Sequence, residues 1–173
     1  MKRKWLLAAA CFMLLFALTG CGKTVEEQID SGVASAQTVF EENPQEPNTK
    51  LEGIELYVPS GYKAENSEDP NNFIVTKGQD SYILFVNQNE TEDSKLHYQL
   101  LKDDKSRKII KEETVEIDGA FGFTAVIEHD EEQFELVVSC GGVKMSTISK
   151  DKNIDEKLVD MMTIVRSVKL IEK

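Results

Sequence analysis

What this sequence has little of narrows its chemistry at once. It holds two histidines, three cysteines and one tryptophan among 173 residues. His97 and His129 are too few for a histidine-rich metal centre, and Cys11, Cys21 and Cys140 show no zinc-ligand spacing. No glycine-rich loop is placed to cradle a phosphate, and no Gly-x-Ser-x-Gly elbow presents a nucleophile. No cofactor is implied. Long apolar runs are also missing. Trp5 to Leu18 spans fourteen residues, whereas crossing a hydrocarbon core takes about 20. Basic residues are the scarcer charge, 20 Lys and Arg against 31 Asp and Glu, which argues against nucleic acid as a partner.

What is there begins with an ordered start. Lys2, Arg3 and Lys4 precede the apolar stretch, and Leu18-Thr19-Gly20-Cys21 closes it. The order of basic, apolar and small residues is that of a secretory signal peptide, and its last four residues resemble a bacterial lipobox. That resemblance implies a membrane lipoprotein: cleavage after residue 20, diacylglyceryl transfer to the Cys21 thiol, and a lipid anchor on the extracytoplasmic side of the cell membrane. Two or more acyl chains hold a protein stably, since each buried methylene contributes about 0.8 kcal/mol. Without Lys2, Arg3 and Lys4 the mature chain keeps 17 basic against 31 acidic residues, a net charge of −14. Cys11 leaves with the leader and Cys21 is alkylated, so Cys140 has no partner for an intramolecular disulfide. Stability then rests on one ordinary core.

Three segments follow: a signal peptide over 1–20, a lipidated cysteine with helix and linker over 21–50, and a globular domain over 51–173. Val25, Ile29, Val33, Ala36 and Phe40 recur at helical spacing, predicting a helix from Thr24 to Glu42 that either docks on the domain or acts as a spacer. Asn43 to Asn48, with two prolines and no apolar residue, reads as a linker. Strands are expected at 53–59, 72–76 and 81–87, and a helix at 92–102.

Between Ile109 and Ile148 a four-stranded antiparallel meander is expected. Placing Glu128 opposite Gln133 sets Phe121, Phe123, Ala125 and Ile127 against Cys140, Val138, Leu136 and Phe134, one wholly apolar face. Gly141-Gly142 is a hairpin signal that pairs Cys140 with Val143. A three-residue loop through Ala120 sets Val115 against Phe123, and is preferred over a two-residue Asp118-Gly119 turn because it keeps the apolar set together. Ile154, Leu158, Met161, Met162, Val165 and Val168 form a helical stripe to cover that face, with Asn153 as N-cap. An antiparallel sheet with helices on one face is an α+β domain.

Tyr57-Val58-Pro59-Ser60-Gly61-Tyr62, the hairpin segment Tyr82-Ile83-Leu84-Phe85-Val86-Asn87 and the terminal Ile164-Val165-Arg166-Ser167-Val168-Lys169 occur in an order that resembles the PsbP-like fold. That fold is found in photosystem II extrinsic proteins, Ran-binding Mog proteins and various bacterial lipoproteins. It has no shared catalytic site, so no functional residue carries over.

The remaining candidates have bland explanations. His129 and Cys140 fall at opposite ends of one hairpin. Cys140 is expected on an apolar face, the ordinary place for a small buried hydrophobe. Glu128-His129-Asp130-Glu131-Glu132 lacks the glycine of a calcium loop and reads as a solvated tip. Tyr57, Tyr62, Phe73, Tyr82 and Phe85 alternate as core and sheet residues do. The second meander face, with Glu112, Glu116 and Glu135 as its candidate interaction residues, mixes acids with aliphatics and suits a surface protein partner. The function expected is a non-catalytic protein-interaction or accessory module at the cell surface. The alternative is a lipoprotein binding a small molecule or divalent ion between helix and sheet.

Overall fold

The computed structural model describes residues 22–150 and 152–171. Cys21 and the leader-like segment before it lie outside the described residues.

The chain opens with helix α1 (Val25–Glu41). Thr24 and Glu27 form a reciprocal cap: the Glu27 amide donates to Thr24 Oγ1 at 3.2 Å and the Thr24 amide to Glu27 Oε2 at 2.8 Å. Two of the helix's orphan donors are thereby satisfied. Short strands β1 (Thr49–Leu51) and β2 (Ile54–Leu56) follow, then β3 (Tyr62–Asn66), β4 (Asn72–Lys77) and β5 (Asp80–Val86). Helix α2 (Leu96–Asp103) leads to the meander β6 (Lys108–Ile117), β7 (Ala120–Asp130), β8 (Gln133–Cys140) and β9 (Val143–Lys150). Helix α3 (Ile154–Arg166) and β10 (Lys169–Leu170) end the fold. One antiparallel sheet runs β3-β4-β5-β9-β8-β7-β6, and a small one runs β1-β2-β10.

The class is α+β. Ile29, Val33, Ala36 and Phe40 of α1, with Leu158, Met161, Met162 and Val165 of α3, pack on a sheet face built from Tyr82, Leu84, Val126, Leu136, Val138 and Met145. Of the two arrangements open to the first helix, docking is the one observed, so the core draws on residues before Leu51. Two close approaches seat it. A side chain at Gly32 would meet the Asp155 backbone at 2.7 Å, and one at Gly122 would meet the Phe40 ring at 2.2 Å. Asn153 occupies the N-cap position of α3 in a left-handed conformation without a side-chain cap. The first amide of α3, on Ile154, is instead satisfied by Gln28 Oε1 of α1 at 3.2 Å.

The strand order of the meander is as expected, and Cys140 pairs with Val143 and Val138 with Met145. The other two registers are corrected by one residue. Glu128 lies opposite Phe134 and Gly122 opposite Cys140, with an irregularity between Glu128 and Asp130 that leaves Glu131 and Glu132 at the tip. Glu116 lies opposite Phe121, because Asp118 (φ 50°) and Gly119 (φ 80°) make the two-residue turn that the apolar argument rejected. Consecutive left-handed residues are what a tight turn matched to strand twist demands. The apolar criterion misled because β7 is buried on both faces from Ala120 to Val126, so its pattern carries no alternation to fix register.

Candidate functional site

The corrected register gives the sheet a second, smaller apolar cluster on the face away from α1 and α3. Phe121, Phe123, Ala125, Ile127 and Val137 form it, with Leu101, Tyr98 and Ile109. Helix α2 supplies Leu101 and Tyr98. The Tyr98 ring stands 5.8 Å from that of Phe121 and 5.5 Å from that of Phe123. The helix begins at Leu96 rather than Glu92 because the residues before it are engaged elsewhere. Glu92 accepts from the Phe121 amide at 2.9 Å, and a Cβ at Gly141 would lie 2.3 Å from the Thr91 carbonyl oxygen. The Gly141-Gly142 turn is thus a seat for the loop entering α2, and only glycine fits there.

Glu112, Glu116 and Glu135 do share one face, but it is this one, with Phe121, Ala125 and Ile127 opposite them, and not the face away from that apolar set on which the expected registers placed them. Each meets a cation from α2 or its flanks. Lys95 Nζ is 3.0 Å from Glu116 Oε2, Lys102 pairs with Glu112, and Arg107 Nη1 is 2.8 Å from Glu135 Oε2. Lys95 also sits 5.0 Å from the centre of the Phe121 ring. The second carboxylate oxygen of Glu112 is buried without a hydrogen-bond partner. The three glutamates therefore form a fastening for α2. Sequence reading found them but missed their partners, although Lys95 and Lys102 stand two helical turns apart and so on one side of the helix.

Between α2 and the sheet lies a cavity of about 240 Å³, bounded by His97, Leu100, Arg107, Glu135, Val137 and Lys144. His97 Nε2 is 3.2 Å from the Gly142 carbonyl oxygen, and the Phe85 ring meets the imidazole edge-on at 5.6 Å. Burial lowers the His97 pKa, opposed by that carbonyl, and burial likewise lowers Lys144. Asp104 at the cavity rim is held below its usual range by the Ser106 hydroxyl and amide and by Arg107.

The other candidates stand apart from it. Cys140 is buried on the opposite face, where Arg166 Nη1 approaches its sulfur at 3.8 Å and the Arg166 guanidinium lies 4.4 Å over the Phe40 ring. Burial pushes the Cys140 thiol up despite Arg166, the opposite of what a nucleophilic thiol requires. His129 is seven residues from the Cys140 level of β7, about 23 Å at 3.3 Å per residue. A larger cleft of about 730 Å³ opens beside Val86, Glu90, Cys140, Val168 and Leu170. Tyr62, Phe73 and Tyr82 are core residues, and the Tyr62 hydroxyl donates to Asp160 at 2.8 Å. Among the described residues no group of three or more His, Cys, Asp or Glu is placed to hold a metal ion. No described helix is long and apolar enough to cross a membrane.

No protein-family model and no curated protein matches this sequence. Among solved structures, the chain is similar to the solution structure of cyanobacterial PsbP (CyanoP) from Synechocystis sp. PCC 6803. The two share 11% identity with a TM-score of 0.44, over 75% of this chain and 94% of that one.

Proposed function

We propose that this protein is a lipid-anchored, extracytoplasmic module that works by binding another protein at the cell surface and catalyses nothing. The leader over 1–20 is removed, Cys21 carries the lipid, and the residues to position 50 join the anchor to the body with α1 docked on it. The observation that carries the location is Leu18-Thr19-Gly20-Cys21 behind a basic, apolar start. The interaction reading is supported by the separation of the reactive side chains: His97 and Cys140 lie on opposite faces of the sheet, and His129 is at a hairpin tip. The side turned to partners is the α2 face with Glu112, Glu116 and Glu135.

The location is tested by intact mass and membrane fractionation of the native protein beside Cys21→Ala. A mature form beginning at acylated Cys21, with the variant released or misprocessed, supports the anchor; an uncleaved, lipid-free wild type overturns it. The face is tested by crosslinking in intact cells with Glu112, Glu116 and Glu135 changed to Lys. A control also changes Lys95, Lys102 and Arg107 to Glu, which restores the pairs that hold α2 but not the original pattern of charge. An unchanged partner set in both removes the face from the proposal.

One observation favours a second reading, in which a small molecule or divalent ion binds between helix and sheet: the cavity beside His97 and Lys144 lies between α2 and the sheet. Calcium chloride and inorganic phosphate, titrated against the His97 ring resonances, test it. Saturable shifts support the reading and their absence removes it.

A further inference from the structure

Helix α2 covers only part of its sheet face. Beyond it, across β3, β4, β5 and β9, the same face stays open. Register places Glu65, Ile74, Ile83 and Ser146 in one continuous row, which joins Val137 under α2. Ile148, opposite Glu135, lies on the same face. Ile83 is 44% exposed and Ile148 45%. Leu100 of α2, 58% exposed, rises at the side of this floor where it borders the cavity with Lys144. The result is a shallow trough with a helix for one wall, its floor mixing Ile74, Ile83 and Ile148 with Ser146 and Glu65.

Charge on the two halves of the face differs. Under α2 the sheet carries glutamates and the helix brings cations. The open half carries Lys63, Lys144 and Lys150, placed by their pairing with Thr76, Phe85 and Gln133. Among the described residues these three make no ion pair, and of the other lysines only Lys105 and Lys152, in the loops after α2 and before α3, share that; Lys23, Lys50, Lys77, Lys95, Lys102, Lys108, Lys111, Lys157 and Lys169 are all paired. Glu65 is the one acid in the open half; Glu135 at its border is held by Arg107. Lys63 and Lys150 are exposed, while Lys144 is half-buried at the edge of the α2 cavity, where Glu135 acts on it. In a chain so rich in carboxylates, a face with three lysines and one acid around exposed isoleucines favours negative charge from outside.

We propose that the trough is the docking site for an amphipathic helix of a partner protein, apolar on one side and flanked by Asp or Glu. Three strand spacings separate β3 from β9, roughly 14 Å, which fits one helix of about 10–12 Å diameter laid beside α2. A lipid surface would also offer apolar and anionic groups. It is flat, and α2 projecting about 10 Å from the sheet holds such a plane off the isoleucines. The basic leader of this chain is excluded by like charge with the three lysines. The inference rests on the interaction reading above and gives it a place and a partner chemistry.

The test uses the full chain in its native cells with a photo-crosslinking residue at Ile83, and separately at Thr114, which lies between Glu112 and Glu116. The expected result is a discrete protein adduct from Ile83 whose linked peptide is amphipathic with acidic flanks. Its yield falls by about tenfold or more when Lys63, Lys144 and Lys150 become Glu, and persists when they become Arg. The exposed pair Lys63→Glu and Lys150→Glu, with an unchanged thermal midpoint, guards against loss of fold. An adduct to lipid, to a second copy of this chain, or to a peptide without acidic flanks overturns the proposal. An adduct from Thr114 with none from Ile83 overturns it and leaves the interaction reading standing; no adduct from either position removes both.

Discussion

Phe40 is fully buried, and its ring sits where a side chain at position 122 would be, 2.2 Å from the built Cβ. Phe40→Ala should therefore remove more than local helix packing. Truncating a buried Phe leaves a cavity and costs about 3–5 kcal/mol. With a slope of roughly 2 kcal/mol/M, the urea midpoint should fall by about 2 M. Gly122→Ala alone overpacks the same contact and should cost about 1–3 kcal/mol. In the Phe40→Ala background the new methyl no longer meets the ring. The Ser139 carbonyl oxygen, 2.8 Å away, still resists it. The double variant should thus be less destabilised than the sum of the singles by about 1 kcal/mol or more, the signature of residues in contact. Equilibrium urea unfolding of the four proteins measures the cycle. Additivity within about 0.5 kcal/mol, or a Phe40→Ala cost below about 1 kcal/mol, would refute the docking of α1 on this strand.

Gly32→Ala should destabilise by about 1–3 kcal/mol in thermal melts although alanine is the better helix former, because the Asp155 backbone lies 2.7 Å from the added Cβ; stabilisation would mean that α1 and α3 are not so close. His97 has a folded-state pKa below its ordinary 6.5, so the unfolded chain takes up the proton first and this contribution to stability is lost as pH falls below 6.5. Urea unfolding at pH 7.5 and at about 5.5 should show a smaller acid-side loss in His97→Phe than in the wild type; equal losses would place the imidazole in water. Replacing Lys95, Lys102 and Arg107 together by Ala should raise amide exchange across 96–103 while leaving β7 and β8 protected, since local opening follows the loss of the contacts holding one element. Unchanged exchange in α2 would show that the three glutamates do not fasten it.

The elements that could be read from the sequence are those whose burial is one-sided. Ile154, Leu158, Met161 and Met162 repeat at helical spacing because α3 buries one stripe, and Gly141-Gly142 marks its hairpin because that turn tolerates little else. The α+β class and the order of the meander follow from these. β7 was misregistered for the opposite reason: apolar on both faces, it gives no contrast, and only the Asp118-Gly119 turn held the answer. β3 escaped notice because Tyr62-Lys63-Ala64-Glu65-Asn66 contains a single large apolar residue and lies at the edge of the sheet. Glu112 and Glu116 share a face by alternation along β6. Glu135 was grouped with them because the two one-residue register errors on either side of β7 cancel, although together they put the group on the face away from Phe121 and Phe123. Their pairing with Lys95, Lys102 and Arg107 depends on α2 folding back over β7, a long-range event that no local pattern encodes.

The docking of α1 would also set the length of any leash attached at Cys21. Lys23 already reaches Asp155 at the start of α3, 2.6 Å away, and the helix begins at Val25. A chain anchored at Cys21 has four residues of slack, at most about 14 Å fully extended. Such a body does not sweep a wide volume above the bilayer as a module on a long flexible stalk does. Were Cys21 lipidated as proposed, the body would ride close to the surface with the first turns of α1 and α3 as its lower pole, and a partner would have to come to within a molecular diameter of the membrane to meet it.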